Sequence, residues 1–369
     1  MKTLDFIKAN GGNVAALNDA YGIIVKEYPE EGLYVLNYDQ IKSPRTDAVV
    51  VECRGLIIDS ALNVVSRSFD RFFNLGEAPD TQAHLDWDKA SIFDKMDGSL
   101  IKLYYWNDKW HFATRGTAFA ESDCMGFGVT FKELCLKASD VDLDEELQEI
   151  CALADLDVGV TYILELTCRE NRVVTVYEGT QLHFLAARRN VDGEFVSVPG
   201  NSKWVMNWKD IRSFSFGSPE EIVKAAEALP NLQEGYVVYQ DGKPVCKVKS
   251  PAYVAVHHLR GNGTPNINRV MELVCVGEQD EYLTYFPEDE GYFAPVVEAK
   301  AELLEKMDHA YSAIKGIEDQ KEFALHIKGL SFSWLLFTAR KSGKLPSEVF
   351  SDAPLNKRVN TLEGYIARK

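Results

Sequence analysis

The sequence predicts an α+β protein, strand-rich to about residue 250 and helical from there to its end. Three observations carry this. Up to residue 250, short runs of β-branched and aromatic residues alternate with Asn, Asp, Gly and Pro. After Pro251 the apolar residues fall mostly at steps of three and four, the spacing of a helix face. The chain has 369 residues, 46% hydrophobic and 26% charged, enough to bury a core without disulfides or metals. Two domains follow, 1–250 and 251–369, each of ordinary size.

Taken in order, Tyr21–Tyr28, Leu33–Tyr38, Val49–Asp59 and Val64–Arg67 read as strands, then Ile92–Phe93, Leu100–Trp106 and Trp110–Thr114. The run Trp106-Asn107-Asp108-Lys109-Trp110 reads as a hairpin turn. Helices are expected over Gly126–Ala138 and Leu143–Ala154. Strands resume at Tyr162–Cys168, Arg172–Tyr177, Gln181–Arg188, Gly235–Gln240 and Val245–Val248. Ser218-Pro219-Glu220-Glu221 opens a helix, with Ser as cap, Pro in the first position and acids in the first turn. Beyond a loop at Gly261-Asn262-Gly263-Thr264-Pro265, the stripe Val296, Val297, Ala301, Leu304, Met307, Ala310, Tyr311 and Ile314 reads as core. Phe323–Leu330 and Phe332–Ala339 continue the helical spacing.

The formal net charge is −16, which argues against a broad, non-specific nucleic-acid binder but not against a local basic groove. Acids concentrate in Asp140–Glu149 and between Glu278 and Glu322. The last thirty residues are basic through Arg340, Lys341, Lys344, Lys357, Arg358, Arg368 and Lys369. For that tail, contact with nucleic-acid phosphates and a solvated surface stand level. Seven scattered cysteines without C-x-x-C fit reduced thiols. The N-terminus lacks an apolar signal region, and no stretch approaches the length of a membrane span. The expectation is a cytoplasmic protein with no membrane partner, and a monomer.

The chemistry centres on Lys95-Met96-Asp97-Gly98-Ser99. A lysine becomes a nucleophile when desolvation or neighbouring cations lower its pKa, and a following Gly lets the backbone turn close to a ligand. Alone, this motif is also what a polar surface turn looks like. Its meaning comes from the order of its companions: Glu52-Cys53-Arg54-Gly55-Leu56 and Arg71-Phe72-Phe73-Asn74 upstream; Ile163-Leu164-Glu165-Leu166, Asn171-Arg172, Glu234-Gly235-Tyr236-Val237 and Lys247-Val248-Lys249 downstream. No G-x-x-x-x-G-K-[ST] loop is present to cradle phosphates. Cations converging from separate strands are the alternative. Lys247 and Lys249 stand two apart and so share a strand face. Their charge would favour a neutral Lys95. Glu165 and Glu234 are hard oxygen ligands suited to Mg²⁺.

In this order the elements resemble the covalent nucleotidyltransferase superfamily, and within it the bacteriophage-type RNA ligase 1 family of tRNA-repair ligases. The resemblance runs through the chain and is looser after Ala252-Tyr253-Val254. It implies a nucleotidyltransferase domain of antiparallel sheets with flanking helices, then an all-helical domain that helps choose the RNA. It implies ATP as substrate with Mg²⁺, or Mn²⁺ in its place. RNA with 5′-phosphate and 3′-hydroxyl ends, of which nicked tRNA is one form, would be joined through lysyl–AMP and RNA-adenylate. Lys95 would be the nucleophile, assisted by Lys247 and Lys249. Arg54, Arg71, Lys247 and Lys249 would contact phosphates. Glu165 and Glu234 would handle ribose or metal, and Asp97 with Gly98 would shape the nucleophile's loop. Arg71 stands where relatives commonly carry Lys, and Arg115 in Thr114-Arg115-Gly116 does too, which is not a neutral exchange. Tyr177 and Phe184 are candidates to stack on adenine, with core packing the stronger reading of both. His257-His258 lacks partners at ligand spacing, which argues against a metal there.

Two alternatives stay open. One is another covalent nucleotidyltransferase, a DNA ligase or a GTP-using capping enzyme; those usually continue into an OB-fold where this chain turns helical. The other is a catalytically silent RNA-binding protein.

Overall fold

The computed structural model describes residues 1–124, 127–171, 175, 177–229, 233–258, 267–285 and 287–369. The chain divides into two compact units, Met1–His257 and His258–Lys369. The segment from Pro251 to His257, grouped above with the helical part, therefore packs with the first unit.

The first unit is built on three sheets. The first has the order β1 (Ile23–Tyr28), β2 (Leu33–Tyr38), β3 (Arg54–Asp59), β4 (Val64–Ser66). The second runs β11 (Phe195–Val196), β10 (Gln181–Arg189), β9 (Val160–Thr167), β7 (Ser99–Trp106), β8 (Lys109–Ala113). The third runs β12 (Ser213–Phe214), β6 (Ser91–Lys95), β13 (Gly235–Gln240), β14 (Lys243–Lys249), β5 (Phe73–Asn74). Every pairing is antiparallel except β5 with β14.

Alternation along β7 shows how the sheets share their cores. Ile101 and Leu103 point into a cluster with Leu134, Leu147 and Trp208. Tyr104 points the other way, into a cluster with Leu33, Val35 and Ile57 of the first sheet. A third cluster, including Phe93, Leu185, Val237 and Tyr239, fills the space between the second and third sheets. The expected hairpin is present: Trp106 pairs with Lys109, and Asn107 and Asp108 both adopt positive φ, the geometry of a two-residue type I′ turn.

Several elements differ from the sequence reading. Val49–Asp59 is not one strand: Ala48–Glu52 is a short helix capped by Asp47, whose side chain accepts the Val49 N–H, and β3 starts only at Arg54. The helix expected from Gly126 starts at Phe131, because Thr130 and Glu133 form a reciprocal capping box there. Two helices, Lys2–Ala9 and Ala16–Tyr21, precede β1 and pack on it and on the 48–52 helix. The strand expected at Arg172–Tyr177 lies largely, and the loop at 261–265 wholly, outside the described residues. Helix Pro219–Glu227 starts as expected, with the Ser218 hydroxyl accepting from the Glu221 N–H.

Among its described residues the second unit has helices and no strand, the α-helices running at Ile267–Val276, Gln279–Tyr285, Glu290–Ile314, Gln320–Ile327, Ser333–Ser342, Pro346–Asp352 and Leu355–Ile366. Val296, Leu303 and Met307 of the long helix face Phe323, Leu335, Phe350 and Leu362 in one core. Among the described residues no helix is long and apolar enough to cross a membrane.

Candidate active site

Lys95 ends β6. Its backbone pairs with Gly235 on β13, which pairs in turn with Lys249 on β14. The row across the third sheet is therefore lysine, glycine, lysine. The glycine is obligatory: its φ is +144°, and a Cβ there would sit 2.0 Å from the Val248 carbonyl oxygen. With nothing projecting between them, both lysines reach one carboxylate. Lys95 Nζ donates to Glu234 Oε2 at 2.8 Å, and Lys249 Nζ lies 3.2 Å from Glu234 Oε1. The Glu234 side chain is 5% exposed, so this pairing is sheltered from solvent. Lys95 lines a cavity of about 280 Å³ together with Tyr177, His183, Arg212 and Glu234.

The Met96-Asp97-Gly98 loop is fixed from several sides. Asp97 is buried; its carboxylate accepts the Thr175 N–H at 2.6 Å and the Tyr253 hydroxyl at 2.7 Å. Its own N–H donates to the Tyr177 hydroxyl at 3.1 Å. Ser99 Oγ donates to Asn171 Oδ1, and Asn171 Nδ2 donates to the Leu166 carbonyl, tying the loop to β9. Gly98 lies so close to β9 that a Cβ would stand 2.2 Å from the Leu166 oxygen and 3.1 Å from Glu165 Cγ.

Glu165 projects from the middle of the second sheet, opposite Leu100 on β7 and His183 on β10. Burial pushes its carboxyl up to about 7; Glu234 and Asp97 add to the rise, while Lys95 and Arg54 oppose it. Glu165 and Glu234 thus stand near one another beside the nucleophile candidate. Among the described residues no group of three or more His, Cys, Asp or Glu is placed to hold an ion.

Around Tyr38 is a cluster of cations. The Arg71 and Arg115 guanidiniums lie 4.2 and 5.2 Å from its ring centre, and that of Arg54 lies 5.3 Å from the Phe72 ring. Burial raises the Tyr38 phenol, but Arg115, Arg54, Arg71 and Lys247 outweigh it and bring the phenol below its ordinary range. Burial pushes Arg71 down to about 10, with Arg45, Arg115 and Arg54 adding and Tyr38 opposing. Among the described residues, none of Arg54, Arg71 and Arg115 forms an ion pair with a carboxylate. A buried Nη1 on Arg54 and another on Arg71 have no hydrogen-bond partner. Buried guanidinium nitrogens left unpaired in this way suit a phosphate-bearing ligand.

The sequence-derived residues therefore form two neighbouring groups. Lys95, Asp97, Gly98, Glu165, Glu234 and Lys249 surround the nucleophile candidate, and Arg54, Arg71 and Lys247 join Arg115 around Tyr38. Sequence reasoning missed Tyr38, Thr175 and Tyr253 as parts of the site, since a tyrosine in a strand or helix reads as core. Arg172 is outside the described residues. Of the stacking candidates, Tyr177 lines the Lys95 cavity. Phe184 is packed face to face on Trp208, 5.6 Å between ring centres at 18°, with Lys203 over it.

The basic tail is largely committed within its own unit. Arg340 donates to the Glu318 carbonyl, Arg358 to that of Cys275 and Arg368 to that of Gly329. Lys344 pairs with Asp352 and Lys369 with Glu302, while Lys357 sits over Trp334. His257 and His258 end helix Pro251–His258, and their side chains are outside the description.

A family model described as RNA ligase matches residues 52–253, more than half of the chain. Among curated proteins, one named "Putative bifunctional polynucleotide kinase/RNA ligase", from Autographa californica nuclear polyhedrosis virus, is 36% identical over 353 residues. That match spans 92% of this chain and 50% of the viral protein. A "Putative RNA ligase" of Thermovibrio ammonificans is 28% identical over 56% of this chain and 53% of its own length. An "RNA ligase" of Rhodothermus phage RM378 is 22% identical over 73% of each chain. The chain thus spans about half the length of the first two of these relatives.

Proposed function

Since this chain belongs to the RNA ligase family, we propose that it is an ATP-dependent enzyme sealing RNA 5′-phosphate to 3′-hydroxyl ends through lysyl–AMP and RNA-adenylate. The observation that carries the reading is the row Lys95–Gly235–Lys249 with Glu234 bonded to both lysines. It sets an amine, a carboxylate able to take the amine's proton and a second cation within one sheltered site.

In the first step Lys95 Nζ, as the neutral amine, attacks the α-phosphorus of ATP and passes the proton it then sheds to the Glu234 carboxylate, its 2.8 Å partner. The bond from that phosphorus to the bridging oxygen breaks, and pyrophosphate leaves with the electron pair. Lys249 neutralises charge on the α-phosphate. Lys247, Arg54 and Arg71 hold the outer phosphates, the anion that the buried, unpaired Nη1 atoms of Arg54 and Arg71 lack. In the second step an oxygen of the RNA 5′-phosphate attacks the same phosphorus; the P–N bond breaks and Lys95 recovers its proton. In the third, the RNA 3′-hydroxyl attacks the activated 5′-phosphate, loses its proton and releases AMP. All three are in-line displacements, in which placement and charge neutralisation supply most of the rate.

Glu165 and Glu234 fit a divalent ion of the Mg²⁺ type, or Mn²⁺, which takes one or two carboxylates and completes its shell with phosphate oxygens and water. Such an ion would offset charge on the phosphates at the site. Residues 1–257, with Tyr253 among them, serve as the adenylyltransferase and residues 258–369 as the part that selects RNA. RNA repair, with nicked tRNA as one substrate, in the cytoplasm and as a monomer, completes the proposal.

The test is incubation with α-labelled ATP and Mg²⁺, then a denaturing gel, beside α-labelled GTP and Lys95→Ala. Label retained from ATP and lost in the variant is the expected result. Unlabelled enzyme that pyrophosphate pretreatment does not render labelable would overturn it, and label from GTP alone would assign the chain to the capping branch.

A further inference from the structure

Lys102 is a buried lysine that the mechanism above does not use. It is 1% exposed and lies in the middle of β7, paired with Ala113 and Ile163. Ile101 and Leu103 flank it and face the core of the second sheet. Lys102 shares a face with Tyr104, which is turned toward β2 and β3 of the first sheet. An apolar side chain of similar length would fill that position without the cost of burying an amine. Burial alone pushes its ammonium down to about 7; no charged neighbour offsets the shift.

Its amino group has a single hydrogen-bond partner among the described residues, the Gly55 carbonyl. Gly55 is the extra residue of a β-bulge. On β2 and β3, Leu36 pairs with Leu56 and Asn37 with Arg54, so Gly55 has no partner in the ladder. The bulge decides where Arg54 goes. In a regular strand Arg54 would share the face of Leu56 and Ile58, which are buried against Ile7 and Leu17. The inserted residue moves Arg54 to the opposite face, that of Ile57, which looks toward the second sheet. Gly55 pays for this with a φ of +73° and a close approach, since a Cβ there would sit 2.9 Å from the Arg115 carbonyl oxygen.

We propose that Lys102 is a positioning residue for phosphate recognition, its amino group holding the Gly55 carbonyl so that the bulge keeps Arg54 turned into the cluster with Arg71 and Arg115. Without that donor the bulged carbonyl is buried and unsatisfied, a state relieved most simply by straightening the bulge. Straightening returns Arg54 toward the other face. This inference rests on the reading that Arg54 binds phosphates of ATP.

The experiment uses the full chain with Lys102→Met, which keeps reach and bulk and removes the donor, alone and combined with Arg54→Met. Three quantities are measured: the KM for ATP in single-turnover lysyl–AMP formation, the Kd for inorganic pyrophosphate by calorimetry, and the thermal midpoint. Lys102→Met is expected to raise KM and Kd about tenfold while the rate at saturating ATP stays within about twofold of wild type. In the Arg54→Met background the same substitution adds less than about twofold, because its effect passes through Arg54. Equal tenfold losses in both backgrounds, or wild-type KM and Kd in Lys102→Met, would overturn the proposal whatever happens to the midpoint. If Lys102→Met does not fold, Lys102→Leu is read by the same criteria. A wild-type protein that binds pyrophosphate through Arg54 but forms no lysyl–AMP would remove the ligase reading and leave the calorimetric arm to decide the role of Lys102. Pyrophosphate affinity independent of Arg54 would refute both.

Discussion

Gly98→Ala is the substitution whose consequence can be worked most directly from the structure. The added Cβ would stand 2.2 Å from the Leu166 carbonyl oxygen, where ordinary contact begins at 3.4 Å. The obstacle is backbone at the middle of the second sheet, held by pairing on both sides, so β9 does not yield. The loop must therefore lift by roughly 1 Å, and overpacking of this kind costs about 1–3 kcal/mol of stability. Lifting drags Asp97 from the Thr175 N–H and the Tyr253 hydroxyl, and it moves Lys95 away from Glu234. A displacement near 1 Å at a reacting atom costs on the order of 100-fold in rate. The assay is single-turnover formation of labelled lysyl–AMP at saturating ATP, with the thermal midpoint measured on the same sample. The expected outcome is a folded protein slowed about 100-fold, with ATP affinity changed far less than the rate. Wild-type rates in Gly98→Ala would show that the loop has slack and would refute the argument that β9 sets the position of the nucleophile.

Tyr253→Phe removes the hydroxyl that reaches Asp97 at 2.7 Å. A hydrogen bond to a charged group is worth about 1.5–3 kcal/mol, so lysyl–AMP formation should slow by about tenfold or more with the fold kept; an unchanged rate would discount Tyr253 as a support of the loop. His183 is buried, and burial, with Lys209 adding, lowers its pKa from 6.5 to about 4. The unfolded chain then binds the extra proton between these values, so stability falls as pH drops from 6.5 toward 4, by up to about 3 kcal/mol. Urea unfolding of wild type and His183→Asn at pH 7 and pH 5 checks this: the variant should lose less stability between the two, and parallel losses would count against it.

What was legible in the sequence was what chemistry pins to fixed residue types in a fixed order. Lys95, Glu165, Glu234, Lys247 and Lys249 could be named as candidates because amine, carboxylate and phosphate-binding cation are roles few side chains fill. The longer strands of the second and third sheets could be found because β-branched and aromatic residues recur along them, whereas the two-residue strands β5, β11 and β12 were not. Local sequence was misleading where two signals compete. Ala48–Glu52 is rich in valine and reads as strand, yet Asp47 caps it as a helix turn. That capping signal was in the sequence, as was the Thr130–Glu133 box that moves the start of the next helix. Other features have no local signal at all. Tyr253 lies 156 residues from Asp97, and Lys102 is 47 residues from the carbonyl it holds. In the sequence each is an ordinary residue of an ordinary element, and only the packing of one element on another gives it a task.

The same distinction accounts for an acidic protein in an RNA-directed family. The net charge of −16 describes the whole surface, whereas a ligand meets the field of the site. Acids outside the site are often spent on neighbours: Glu302 on Lys369, Asp352 on Lys344, Glu121 on Lys26. In the basic tail Lys344 and Lys369 are paired in the same way, whereas Arg340, Arg358 and Arg368 donate to neutral carbonyls and keep their charge. Around Tyr38 the balance reverses. Arg54, Arg71 and Arg115 gather without a carboxylate pair among the described residues, and their combined field, with that of Lys247, is strong enough to lower a buried phenol. Burying like charges together is costly unless a counter-charge arrives. On the proposed reading the polyphosphate of ATP supplies that counter-charge, so the substrate would complete the site.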